Sequence, residues 1–74
     1  MKLEWVKLTD DLWEAKYNSK LSFYVEICGG YGTSYWPFIG VNPKTTLMLT
    51  DLSYTTLSSA KRLCQAMADK MRAE

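Results

Sequence analysis

A chain of 74 residues with a formal net charge of +1, 47% hydrophobic residues and no histidine is sized for one domain with a modest core. The near-neutral balance argues against general attraction to nucleic acid and against acidic mimicry of it. The missing histidine removes Ser-His-Asp and Cys-His nucleophile activation together with most zinc sites.

Residues 1–74 are read as a single domain, with no repeat, low-complexity segment or linker. Residues 3–8 alternate weakly, with Leu3 and Trp5 on one side and Val6 and Leu8 on the other, and Asp10-Asp11 signals a turn. Residues 12–17 put Trp13, Ala15 and Tyr17 on one face and Glu14 and Lys16 on the other, the half-buried pattern of an antiparallel strand. Asn18-Ser19-Lys20 reverses the chain. Residues 21–28 are the clearest strand: Leu21, Phe23, Val25 and Ile27 alternate with Ser22, Tyr24, Glu26 and Cys28. The first set is expected to face a helix and the second to face away from it.

Three glycines in Gly29-Gly30-Tyr31-Gly32-Thr33-Ser34 predict a flexible loop. Residues 35–41 resume extended structure, but Pro37 cannot donate to a ladder, which predicts an edge or irregular strand. Asn42-Pro43-Lys44 is the next turn, and residues 45–49 add a short last strand. Beyond it, Leu57, Ala60, Cys64, Met67 and Met71 recur at spacings of three and four, with Leu63 and Ala68 widening the stripe. This predicts an amphipathic helix over residues 57–72. Thr56 is the expected N-cap, with Thr55 as the alternative. Ser59 stands where a capping box would want Glu, and Lys70 and Arg72 suit the negative end of the dipole.

The predicted fold is therefore α+β, an antiparallel sheet of three to five strands with one C-terminal amphipathic helix packed on one face. The two cysteines, Cys28 and Cys64, read as reduced thiols, a sheet-to-helix disulfide being the less favoured alternative. The opening residues lack the apolar core of a signal peptide, and no apolar run approaches the ~20 residues of a membrane span. A cytoplasmic protein, without membrane contact, is expected.

No constellation of catalytic, metal-binding or cofactor-binding residues stands out, so no enzyme activity and no cofactor are expected. Asp10-Asp11 reads as a solvated turn, Glu26 as a cross-strand partner for a lysine, and Cys64 as a small core residue. The glycine loop does not open a helix and no Lys follows it, which sets it apart from phosphate-binding loops. Gly29-Gly30-Tyr31-Gly32 fits the GXXG of KH domains, but strands flank it where that family needs helices. Gly30-Tyr31-Gly32 with Tyr35 and Trp36 is partly similar to the base-stacking motif of RRM domains. Gly29 replaces its basic position, however, and Thr33 its first stacking aromatic. The strand order with Ala60-Lys61 in the last helix resembles the second half of a double-stranded RNA-binding domain, but Leu57 and Ser58 stand where that family places phosphate-binding lysines.

Trp5, the Trp13-Glu14-Ala15 strand, the aromatic hairpin strand and Thr56, Leu57, Ala60 and Lys61 in the closing helix resemble small proteins of bacteriophages and prophages. That resemblance spans most of the chain. It implies a sheet-plus-helix fold and a class that includes stoichiometric inhibitors of host defence such as anti-CRISPR proteins. It carries no residue-level function.

Ten aromatic residues exceed what a one-helix domain can hide, and Tyr and Trp are frequent interface anchors. The first functional expectation is a non-enzymatic protein that binds a host protein through the open sheet face and the loop of residues 29–36, with Tyr24, Tyr31, Tyr35 and Trp36 as contact residues. An open face bearing Trp and Tyr is also readily buried against a second copy, giving a homodimer. The second is nucleic-acid binding by Lys61, Arg62, Lys70 and Arg72 on the more basic segment: residues 52–74 carry +2, residues 1–51 carry −1. A third is an oligomer that sequesters a small nucleotide signal.

Overall fold

The computed structural model describes residues 2–30 and 32–73, with the side chain of residue 73 left out. Five antiparallel strands run in sequence order across one sheet: β1 (Trp5–Thr9), β2 (Leu12–Lys16), β3 (Ser22–Cys28), β4 (Ser34–Asn42) and β5 (Thr45–Met48). A single helix, α1 (Leu57–Ala73), closes the chain and packs on β4 and β3. The α+β reading holds, with the strand count at the upper end of the expected range. No helix among the described residues is long and apolar enough to cross a membrane.

The two-residue period of the strands sorts side chains onto two faces. On the helix side, one row of paired residues is Trp5, Ala15, Phe23, Ile39 and Leu47, and the next is Lys7, Trp13, Val25 and Pro37. Phe23, Val25 and Ala15 are fully buried there. The helix meets them with Ala60, Cys64 and Ala68, all buried. These three are spaced by four, so they form one line of small side chains that lets the helix axis come close to the sheet. Leu57, Met67 and Met71 flank that line and fill its margins. The Cys64 thiol is pushed up to about 12 by its burial, and both cysteines are free.

The helix start follows the expected cap. The Thr56 hydroxyl oxygen accepts from the Ser59 N–H at 3.2 Å, and its own proton goes to Ser59 Oγ at 2.8 Å. Tyr54 is not helical: it exchanges two main-chain hydrogen bonds with Tyr35, each 2.9 Å, and so ties the segment after β5 back to β4. The N-terminal segment is strapped to the helix as well. Leu3 is buried in the core, and its N–H donates to Gln65 Oε1 at 2.8 Å, while Gln65 Nε2 donates to Asp69.

Two asparagines build the short hairpins. Asn18 Oδ1 accepts from the N–H groups of Lys20 and Leu21, both at 2.8 Å, and Asn42 Oδ1 accepts from Lys44 and Thr45 at 2.8 and 2.9 Å. The side chain thereby supplies the turn hydrogen bonds that a glycine-based primed turn would otherwise make with the backbone.

One expectation is met only in part. The strand containing Pro37 is irregular, its register with β5 shifting between Gly40 and Asn42, but it is not an edge of the sheet, since it lies between β3 and β5. The reason is the direction in which Pro37 turns its main chain. Tyr35 bonds Tyr54, and the Pro37 carbonyl accepts from Leu49 N–H at 3.0 Å, both on the side away from β3. Pro37 thus occupies a non-hydrogen-bonded position opposite Val25, where β3 asks nothing of its missing N–H. On the other side Pro37 cannot return a bond to the Leu49 carbonyl, and β5 ends one residue before that position.

Gly40 is buried at the register shift between β4 and β5. A Cβ there would lie 2.7 Å from Thr46 Cγ2 and closer still to the Thr45 carbonyl oxygen. Backbone cannot yield as a side-chain tip can, so Gly40→Ala is expected to destabilise the fold by about 2–3 kcal/mol. Urea unfolding monitored by Trp fluorescence measures this, and an unchanged midpoint would disprove the tight packing of the β4–β5 hairpin.

Candidate functional site

Because one helix covers one face, the other face of the sheet has no secondary structure packed upon it. Its central row crosses all five strands: Val6, Glu14, Tyr24, Phe38 and Met48 are register partners in turn. The next row holds Leu12, Glu26 and Trp36, and beyond it Cys28 faces Ser34. Apolar side chains gather toward β4 and β5, where Trp36 and Phe38 are half-buried and Met48 is exposed. Toward β1 and β2 the face becomes charged. A shallow depression of about 500 Å³ there is lined by Lys2, Glu4, Val6, Glu14 and Lys16, with the two signs interleaved.

Tyr24 sits at the centre of this face, yet it is only 2% exposed. Glu14 and Ser22 are the polar side chains beside its phenol. Burial first, and then Glu14, raise the Tyr24 pKa above its ordinary value of 10.0, against a smaller opposite pull from Ser22. The expectation that Tyr24 points away from the helix matches its register position, but its neighbours close over it. It is the floor of the face, and the side chains around it form the surface.

The other aromatic candidates separate. Trp36 shares the open face with Tyr24 through the Glu26 position. Tyr35, one residue earlier, turns to the helix side and packs against the core beside Tyr54. Tyr31 lies outside the described residues. Around it, Gly30 and Gly32 adopt φ of 140° and 104°, a region that L side chains avoid. Phe38, Leu12 and Met48, which sequence reasoning did not single out, extend the Trp36 surface. The signal for Phe38 was present in the alternation of residues 34–42, masked by the weight given to Pro37; Leu12 and Met48 join it only through strand register.

The four basic candidates do not form one stripe. Lys61 lays its ammonium over the Trp13 ring at 4.1 Å and reaches the Trp5 ring at 5.7 Å, a cation–π stack that joins the helix to β1 and β2. Lys70 stands nine residues further on, about 180° round the helix from Lys61 at 100° per residue. Arg62, Lys70 and Arg72 are exposed. Arg62 borders a shallow depression with Tyr54 and Leu63, away from the open sheet face.

Of the two thiols, Cys28 lies at the margin of the open face, where Sγ donates to Glu26 Oε1 at 3.5 Å. Its pKa is raised by burial and then by the Glu26 carboxylate, which holds it in the less nucleophilic protonated form. No three Cys, Asp or Glu side chains gather closely enough to hold a metal ion among the described residues. No protein-family model, no curated protein and no solved structure matches this chain.

The raised pKa of Tyr24 gives the site a pH signature. A phenol whose folded-state pKa is raised contributes stability below its ordinary pKa and loses it as pH rises through the folded value. Wild type should therefore exceed Tyr24→Phe by about 1 kcal/mol at neutral pH, and the difference should shrink above pH 10. Urea unfolding of both proteins across that range measures it. Cys64 ionises in both proteins and cancels in the difference; a constant difference would show that the fold does not raise the Tyr24 pKa.

Proposed function

We propose that this chain is a small non-enzymatic interaction protein that holds a protein partner on its uncovered sheet face, with Trp36 as the anchor and Phe38, Met48 and Leu12 around it. One observation carries this reading: the row from Val6 to Met48 and the neighbouring Leu12 and Trp36 put large apolar side chains on a face that no element of the fold packs against. Aromatic side chains in such a patch, rimmed by charge, have the composition of an interface centre and its rim. The interleaved Lys2, Glu4, Glu14 and Lys16 supply the rim.

The resemblance to small phage and prophage proteins adds a class of partner. The protein then acts as a stoichiometric inhibitor of a bacterial host macromolecule, a defence protein among the candidates, in the host cytoplasm. Nucleic-acid binding by the helix is the weaker reading, because Lys61 is stacked on two indoles and the remaining cations diverge. Sequestration of a small nucleotide signal is less favoured, because the depression on the open face sets Glu4 and Glu14 beside Lys2 and Lys16.

Affinity capture from a bacterial lysate, followed by titration of the purified partner, tests the reading. Trp36→Ala should weaken binding at least tenfold, about 1.4 kcal/mol or more, whereas Lys70→Glu with Arg72→Glu should leave it unchanged. The reverse pattern, or binding of generic DNA that falls steeply with salt, would transfer the function to the helix.

A further inference from the structure

The two edges of the sheet are unlike. β1 carries Lys7 at its middle and a register shift between Lys7 and Thr9, two features that blunt an edge against pairing with another chain. β5 has neither. From Thr45 to Thr50 the chain is uncharged, and Leu47 and Met48 are 75% and 50% exposed.

The ladder also dictates what β5 presents outward. Leu49 N–H bonds the Pro37 carbonyl, and Ile39 pairs with Leu47 in the same register. Antiparallel pairs alternate between hydrogen-bonded and non-hydrogen-bonded, so Leu47 turns its main chain inward to β4. Thr46 and Met48 turn theirs outward, leaving two N–H and two C=O groups on the edge.

We propose that β5 is a self-association edge, on which two copies pair antiparallel about a dyad at Leu47 and join two five-stranded sheets into one of ten. In this register Thr46 of each copy faces Met48 of the other, which are the residues with outward main-chain groups, so the two strands exchange four hydrogen bonds. Leu47 meets its own twin at a non-hydrogen-bonded position, where paired residues approach most closely. That contact lies on the helix side, beside an apolar groove of about 400 Å³ lined by Leu21, Ile39, Val41 and Leu47. Charge selects the same orientation. The uncharged run is bracketed by exposed Lys44 and exposed Asp51, and antiparallel pairing brings each Lys44 to the end of the second copy that carries Asp51. Parallel pairing would set like charges together. The contact is isologous and closes on itself as a dimer, and it leaves both open faces free.

Sedimentation equilibrium at about 0.1 mM, suited to a small and weak interface, should give a particle of twice the 8.5 kDa chain mass. Leu47→Lys and Leu47→Glu, at an exposed side chain, should each keep the wild-type circular dichroism yet raise the dimer dissociation constant at least about tenfold. Their equimolar mixture should recover the dimer, because opposite charges then meet at the dyad. A monomeric wild type overturns the proposal. So does a dimer that survives Leu47→Lys but is lost on Phe38→Glu, which would mean that the copies meet face to face. A monomeric wild type leaves partner binding through Trp36 untouched, whereas a face-to-face dimer would compete with a partner for the same surface, so the two failures are told apart.

Discussion

The organisation of this protein depends on one contact: the line of Ala60, Cys64 and Ala68 against Phe23 and Val25, all nearly or wholly buried. Larger side chains at those three helix positions would lift the axis away from the sheet and open voids that no other element is available to fill. With the axis close, Leu57, Met67 and Met71 reach down on either side, and Lys61 falls over Trp13 and Trp5. The stack carries the helix's influence to β1 and β2, which the helix backbone itself does not reach. Leu3, bonded to Gln65, closes the same side at the start of the chain. A small core thus gains its extent from a close helix and a few long side chains that bridge outward.

The same contact uses up the one helix among the described residues. A five-stranded sheet has two faces, and strand periodicity distributes side chains to both. The uncovered face has answered this in two ways. Toward β1 and β2 it is charged and hydrates readily. Toward β4 and β5 it is aromatic, and at its centre Tyr24 is sealed by its own neighbours, with Glu14 and Ser22 beside its phenol. A side chain buried so completely in the middle of the sheet is held by packing on every side, so Trp36 and Phe38 stand on a rigid floor. Rigid presentation of apolar side chains lowers the entropy that a partner must overcome on binding, and it favours recognition by a flat face over recognition by a pocket.

Local patterns in the sequence were legible wherever a single element determined the outcome. The alternation of residues 21–28, the spacing from Leu57 to Met71 and the Thr56 cap each report a local rule, and the structure follows them. Features that depend on register between strands were not legible. Pro37 is harmless because of where its nitrogen points relative to Val25 and Leu49, which its identity alone does not reveal. Gly40 is required by the Thr45 carbonyl across a bulge. Tyr35 and Trp36 are adjacent in sequence and so face opposite sides of the sheet, and which of them faces the helix is decided by pairing with Ile27 and Glu26. Lys61 reads as a free cation until two indoles from other strands are placed beneath it.

A sheet whose strands lie in chain order has a further consequence for how such a chain must be written. Every interior strand is protected by its sequence neighbours, so the first and last strands are the edges by construction. Protection against pairing with other chains can then be encoded only in those two. In β1 the encoding is present as Lys7 and a bulge, at the expense of a shortened ladder with β2. In β5 the chain instead places two threonines, a leucine and a methionine in a strand that stops after four residues, and then bends away to let Tyr54 rejoin β4. Shortness limits how many copies can add and how strongly, since an edge with only two outward-facing residues supports a dimer but not an extended stack. The difference between the two ends of one sheet is thus the difference between an edge that refuses a neighbour and an edge that admits one.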